Sequence, residues 1–456
     1  MTNFVFSRRA MQARINDLAK TLSSTQLTAI INRLNAADAT RLHMMWELVI
    51  LHGLSQVGHL KHELTLPNGR RPDIPWIIKQ KDGSALTIFG DITTISDDGL
   101  DAQNPLNYLT DETIRLASKL GLRPGNFWTD VRGETTGPRQ RSKMRLMLPE
   151  KSAISSFIKT RLEPWIYSIR ESPSIKSIFE VNENNINLKI IYDPNRENGG
   201  GSHTSYTVAT SKNINPLFSA LKGKVKQLNG APEDSLRVVI ACDGGCDLIR
   251  RGNRGVSHDT YTAREVSEDF LRQNSNIDAV LLVTVDEQHY SLGISAEYQM
   301  NYELVCAPPQ DRSLRATNKS IESLVAALND ALTYLPRPLR PAYHSASLLK
   351  TLGVGCDHLG NYSMEGNKFT ISSRGLLRLL AGEISTEDFT RAHGWDDPAN
   401  PMNPFASALK KGFMISSVGV ADGMDSDDDD ITITIDKLDA AAAPFIFPSK
   451  DYPGNP

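Results

Sequence analysis

Three carboxylates fall where the surrounding sequence disfavours charge. Glu47 lies within MMWELVILHGL, with apolar residues at nearly every neighbouring helical position, so its side chain is expected to be at least partly buried. A buried carboxylate without a partner costs several kcal/mol, and a metal ion is one group that compensates it. Asp73, in RRPDIPW, opens a strand behind a proline that holds the backbone extended. Asp91 sits in ALTIFGDITTIS, where the two-residue strand period puts Asp91 and Thr93 on one face and Gly90 and Ile92 on the other.

The elements that must position these groups follow from hydrophobic period and turn chemistry. Residues 8–57 read as helical, with amphipathic segments around ARINDLAKTL, TQLTAIINRLN and ATRLHMMWELVILHGLSQVG, and Gly58 is a plausible stop. The period then changes. HLKHELTLP alternates as a strand with one buried face, PNGR and KDGS carry turn chemistry, and RPDIPWIIKQ and ALTIFGDITTIS complete a helix, strand, strand, strand order over residues 38–96. Beyond them, PLNYLTDETIRLASKLGL and SAISSFIKTRLEPWIYSIRE read as helices, and INLKIIYDP and TSYTVATS as a strand pair joined by the glycine-rich NRENGGGSH. A helix, NPLFSALKGKVKQLN, precedes the clean buried strand SLRVVIACDGG; the helix near TAREVSEDFLRQ precedes a further strand, IDAVLLVTVDE. This alternation predicts an α/β unit.

Helical Glu47, then Pro72-Asp73, then Asp91 on the third strand is an order that resembles the core of the PD-(D/E)XK nuclease superfamily. The resemblance implies a mixed central sheet flanked by helices. It also implies that Glu47, Asp73 and Asp91 hold Mg²⁺ or Mn²⁺, hard cations suited to carboxylate, water and phosphate oxygens. Where that superfamily has Lys this chain has Thr93, giving Asp-Ile-Thr. Related sequences often place the basic residue on the helix that follows. In ALKGKVKQL, Leu217, Leu221, Val225 and Leu228 form a packing face, and Lys224 and Gln227, three apart, share a neighbouring one. Lys224 is therefore expected to stabilise charge and Gln227 to orient water or phosphate. Lys222 and Lys226 are alternatives on another face, and Lys119 would be the substitute if the earlier helix played this part.

Three segments are expected: an N-terminal helical segment at 1–37, an α/β core at 38–300 with an insertion at about 97–210, and an accessory α+β region at 301–456. With 456 residues, 40% hydrophobic and 23% charged, the chain has ample core material. Lys plus Arg number 50 against 53 Asp plus Glu, so the net charge of −3 gives no global attraction to nucleic acid or anionic lipid, and any polyanion site must be local. Arg250, Arg251 and Arg254, among glycines after ACDGG, suit phosphate contacts, as does the stretch Arg139, Arg141, Lys143 and Arg145. Cys242 and Cys246 alone do not make a zinc pattern, and four scattered cysteines fit a reducing cytoplasm. No secretory signal, no membrane span and no P-loop are visible, so an ATPase would be a separate partner. DSDDDD, at 425–430 between MISSVGVA and ITITID, reads as a solvated hairpin loop.

The function expected from the resemblance is metal-dependent hydrolysis of phosphodiester bonds, in DNA more than RNA, in the manner of restriction or phage-defence effectors. A homodimer suits an enzyme that cuts both strands. The alternative is a catalytically inactive protein that keeps the nuclease fold as a nucleic-acid or protein-binding platform; a weaker third reading is a different metal hydrolase.

Overall fold

The computed structural model describes residues 5–36, 40–80, 82–138, 143–183, 185–251, 260–289, 296–345, 363–393, 395, 403–421 and 428–438. It is mixed α/β and divides into two compact units, residues 14–347 and residues 1–13 with 348–456, the boundary falling within the first helix, α1 (Arg8–Leu18).

In the larger unit, α2 (Ser24–Asn35) begins at a capping box in which the Ser23 side chain accepts from Gln26 N–H and Gln26 reaches back to Ser23 N–H. It leads into α3 (Thr40–Val57), a helix so apolar that residues 44–54 are all buried. Three strands follow: β1 (His59–Leu60), β2 (Ile74–Lys79) and β3 (Ala85–Ile95). The expected nine-residue strand HLKHELTLP shrinks to His59–Leu60. Pairing stops after Leu60; further on Glu63 takes a left-handed backbone (φ 52°) and Leu64 is exposed.

After β3 come α4 (Asp98–Gln103) and α5 (Leu106–Lys119), then a subdomain with its own core of Leu109, Leu116, Phe127, Leu162, Leu188 and Ile190, among others. Its strands are β4 (Phe127–Val131), β5 (Gly133–Thr136), β6 (Lys143–Leu146), β7 (Ser177–Glu183), β8 (Ile186–Tyr192) and β9 (Gly200–His203), with α6 (Ile154–Phe157) and α7 (Glu163–Glu171). INLKIIY pairs here with the preceding Ser177–Glu183, turning at Asn185 (φ 63°), and not with TSYTVATS, which contributes only a single bridge between Ala209 and Tyr261. The glycine-rich segment itself becomes β9, whose Gly200 lies against the Trp128 ring.

The chain returns to the main sheet through α8 (Pro216–Leu228), capped by the Asn215 side chain accepting from Phe218 N–H at 2.8 Å, with Pro216 in the first turn. The remaining elements are β10 (Leu236–Asp243), α9 (Asp247–Arg250), α10 (Ala263–Gln273), β11 (Ala279–His289), β12 (Ala296–Cys306) and α11 (Asn318–Thr333). The main sheet has the order β1-β2-β3-β10-β11-β12. Its central pairs, β3 with β10 and β10 with β11, are parallel, and its outer pairs are antiparallel. Every residue of β10 is buried, as expected of a strand covered on both faces. On one face Phe89, Val239 and Ala241 join Leu217, Leu221 and Phe270 of α8 and α10. On the other, Ile88, Gly90, Val238 and Ile240 meet Leu54 of α3 and Leu324 and Leu328 of α11.

The segment boundaries differ from the sequence expectation at both ends. α2 belongs with the core because Ile30 and Leu34 are buried and the buried Arg41 guanidinium holds the Leu34 carbonyl at 3.0 Å. The core also continues past residue 300 to 347: β12 completes the sheet, and α11 lies so close to α3 that a Cβ on Gly53 would come within 2.5 Å of the Ala331 carbonyl oxygen.

The smaller unit is built on an antiparallel sheet of order β13-β14-β16-β15, formed by β13 (Ser363–Glu365), β14 (Lys368–Ser372), β15 (Phe413–Ala421) and β16 (Asp430–Leu438). Helices Ser373–Leu380, Thr386–Ala392 and Pro404–Lys410 accompany it, with a core of Phe369, Ile371, Phe389, Trp395, Ile433 and Ile435. Of the acidic run, Asp428 accepts from Ser372 Oγ and Arg374 N–H at the start of the first of these helices, and Asp429 pairs with Arg9 at 2.7 Å.

Candidate active site

Asp91 emerges from the middle of β3 on the face that looks toward α8, as the two-residue period requires, and is completely buried. Across from it, Lys224 donates from Nζ to Asp91 Oδ1; the lysine side chain keeps 19% exposure and thus reaches solvent. The two residues are 133 positions apart, so only the packing of α8 on the sheet brings them together. Lys222 and Lys226 are exposed on the outer surface of the same helix, and Lys119 is exposed at the end of α5. Thr93, two residues along β3, is half-buried and carries no charge to replace the lysine.

Asp73 sits immediately before β2, where Pro72 precedes it, and its Oδ2 accepts the backbone N–H of Ile92 at 2.8 Å. That bond fixes Asp73 beside the residue that follows Asp91. Glu47, on α3, is 2% exposed, with Oε1 3.6 Å from His62 Nε2 and Oε2 3.6 Å from His43 Nε2. His62 is held by the Asp73 carbonyl oxygen, 3.0 Å from Nδ1; a carbonyl only accepts, so Nδ1 bears the proton and Nε2 faces Glu47. His43 is anchored through Nδ1 to Thr94 Oγ1 at 2.9 Å.

The carboxylates crowd one another. Burial, and then the charge of Asp73, push the Glu47 and Asp91 carboxyls up to about 8. Lys224 opposes the rise at both positions. Burial lowers the His43 imidazole, and the charge on Asp73 opposes that fall. Two buried atoms of this cluster have no hydrogen-bond partner among the described residues: Asp91 Oδ2 and Gln227 Oε1, the latter on α8 one turn from Lys224. An acceptor oxygen with no donor in a cluster short of positive charge suits a cation.

The donor set is all hard oxygen, which fits Mg²⁺ or Mn²⁺. Among the described residues, no three His, Cys, Asp or Glu side chains stand ready around one point. Mg²⁺ does not require that, because it keeps several waters and is bound through one or two carboxylates plus substrate phosphates. The Asp73–Asp91 pair provides two carboxylates of this kind, and Glu47 stands next to Asp73.

A second acidic group lies at the C-terminal ends of β3 and β10, and it is arranged differently. Asp243 Oδ1 accepts N–H bonds from Gly245 (2.8 Å) and Cys246 (2.9 Å), and Oδ2 accepts from Thr284 Oγ1 (3.2 Å). Asp97 Oδ2 accepts Asp247 N–H at 2.8 Å, while burial raises its carboxyl to about 6. Asp247 binds Arg250 at 2.5 Å, Arg251 at 2.6 Å and Thr207 Oγ1 at 2.7 Å. The two arginines read from sequence as phosphate contacts are therefore engaged with Asp247, and Arg250 also stacks over the Tyr343 ring at 4.4 Å. Arg254, Arg139 and Arg141 lie outside the described residues. Arg145 stands 3.7 Å from Glu150, and the thiols of Cys242 and Cys246 are buried and pushed up by burial.

Sequence reasoning passed over His43 and His62. His43 carries a visible signal, since a residue four positions before Glu47 shares its helical face. His62 shows only as one buried position of an alternating segment. No protein family, no curated protein and no solved structure matches the chain. Among the described residues no helix is long and apolar enough to cross a membrane.

Proposed function

We propose that the chain is a metal-dependent nuclease of the PD-(D/E)XK kind, with DNA favoured over RNA as substrate and a role in restriction or phage defence. In this reading Asp73 and Asp91, with Glu47 beside them, would hold Mg²⁺ or Mn²⁺. The observation that carries it is the Lys224–Asp91 contact next to Asp73; in this reading the lysine absent from the third strand comes from α8, the helix that leads into the next strand. A bound divalent cation supplies Lewis-acid stabilisation of a phosphodiester oxygen and a nucleophile at neutral pH.

The chain's own residues do the rest. Lys224 sits where it neutralises charge on Asp91 and, partly exposed, reaches a phosphate oxygen approaching from solvent. Gln227 offers an amide whose oxygen has no protein donor, suited to orient water. The Ile92 N–H keeps Asp73 aimed at the same point.

The test is cleavage of duplex DNA, single-stranded DNA and RNA by wild type and Asp91→Ala, with Mg²⁺, Mn²⁺ or EDTA. Cleavage that needs metal and vanishes in the variant is the expected result. A folded wild type that cuts none of them in any condition supports the second reading, a nuclease fold retained as a binding platform. Thr93 at the motif lysine position and the net charge of −3 favour that alternative.

A further inference from the structure

The outer strand of the smaller unit lacks the usual protections of a sheet edge. β15 occupies one end of its sheet, paired among the described residues only to β16, and its sequence FMISSVGVA has no charge and no proline. Register irregularities occur at its N-terminal half, between Met414 and Ser417, which leaves Ser417–Ala421 as a regular edge. Val418 stands opposite Ile433 and Val420 opposite Ile431, so both valines point to the same side of the sheet as that unit's core. They nevertheless remain 61% and 69% exposed.

We propose that this edge pairs with the same edge of a second copy of the chain, antiparallel about a two-fold axis near Gly419. Three observations select a second copy over an unrelated strand. Antiparallel pairing of a strand with itself is self-complementary by symmetry, and an edge without charge meets itself without repulsion. Pairing about Gly419 sets Val418 of one copy opposite Val420 of the other, and covers all four exposed valines on one face. The flanks also match: exposed Lys410 and Lys411 precede the strand and exposed Asp430 of β16 lies opposite its last residue, Ala421, so antiparallel chains bring basic and acidic ends together. The inference is independent of the nuclease reading.

A single strand pair with four valines buries less than the roughly 1,200 Å² of a stable complex, so the dimer is reversible. In sedimentation velocity over a concentration series, the full chain is expected to move from 50.4 kDa toward twice that mass. Val418→Lys/Val420→Lys and Val418→Glu/Val420→Glu are each expected to stay monomeric, with melting temperatures near wild type because both sites are exposed, and an equimolar mixture of the two to recover the dimer. A wild type that stays monomeric at every concentration overturns the proposal. So does a lysine variant that still dimerises, or a mixture that does not recover.

Discussion

The main sheet carries two acidic groups within one strand length of each other, and they are built in opposite ways. Around Asp243 and Asp247, carboxylate oxygens meet backbone N–H groups, a threonine hydroxyl and two guanidinium groups. Around Asp91, one oxygen has Lys224 and the other has no donor among the described residues, with Asp73 adding like charge. The supply is not complete in the first group either, since Asp97 Oδ1 is buried without a partner, so the two groups differ in how many of their oxygens are met by donors. On the proposed reading the first group is structural and the second chemical.

The largest expected effect breaks the comparison at the chemical end. Asp91→Ala is expected to lower metal-dependent cleavage by at least about a hundredfold, the scale seen when one transition-state-stabilising group is removed. Asp97→Asn, read in the same assay, is expected to leave the rate within a few-fold of wild type. Equal losses would erase the distinction.

The next effect lies in stability. Asp243→Ala leaves the Gly245 and Cys246 N–H groups without their acceptor and is expected to cost about 3 kcal/mol in denaturant unfolding, whereas Asp91→Asn is expected to cost less than about 1 kcal/mol. A reversed order would mean that Asp91 is the structural member.

The pH profile sharpens the point. An acid whose folded pKa lies above its unfolded value keeps its proton in the folded state between the two, so its contribution is fully present below the unfolded pKa and is lost as pH rises through the folded one. With Glu47 and Asp91 raised to about 8, metal-free stability is expected to fall between about pH 4 and pH 8 on their account. Thermal melts of Asp91→Asn should show a shallower fall, and added Mn²⁺ should stabilise wild type more at pH 8 than at pH 5. A profile that Asp91→Asn does not change would remove Asp91 from the titrating group.

Smallest is Arg251→Ala. Its ion pair with Asp247 is one-third exposed and worth less than about 1 kcal/mol, and nucleic-acid affinity is expected to be unchanged. A fall in affinity would return this loop to the phosphate-contacting role read from sequence.

Much of the site could be read from local pattern. Glu47 stood out because its helix is otherwise apolar, and Asp91 because strand period fixes its face. Lys224 was separable from Lys222 and Lys226 because Leu217, Leu221 and Leu228 define which side of the helix meets the sheet. What escaped depends on distant partners. Alternation puts His62 on a buried face, but that it meets Glu47 of α3 there is a tertiary contact no periodicity reveals. β9 forms from glycines of low strand propensity because Trp128 and Thr129 leave room only for backbone beside them. The end of the core was missed because α11 is amphipathic like any surface helix; that its apolar face meets α3 is a tertiary fact.

The subdomain lodged between β3 and α8 has a kinetic meaning. Closing a flexible loop of 133 residues between Asp91 and Lys224 carries an entropic cost that grows as about (3/2)RT ln n, but a folded insert holds its own ends in place. During synthesis Asp91 leaves the ribosome long before Lys224, and in between the nascent chain carries a buried-type carboxylate with no counter-charge. Formation of the Lys224–Asp91 contact is therefore expected to follow folding of the insert, and slowing that step to delay the contact without altering either residue.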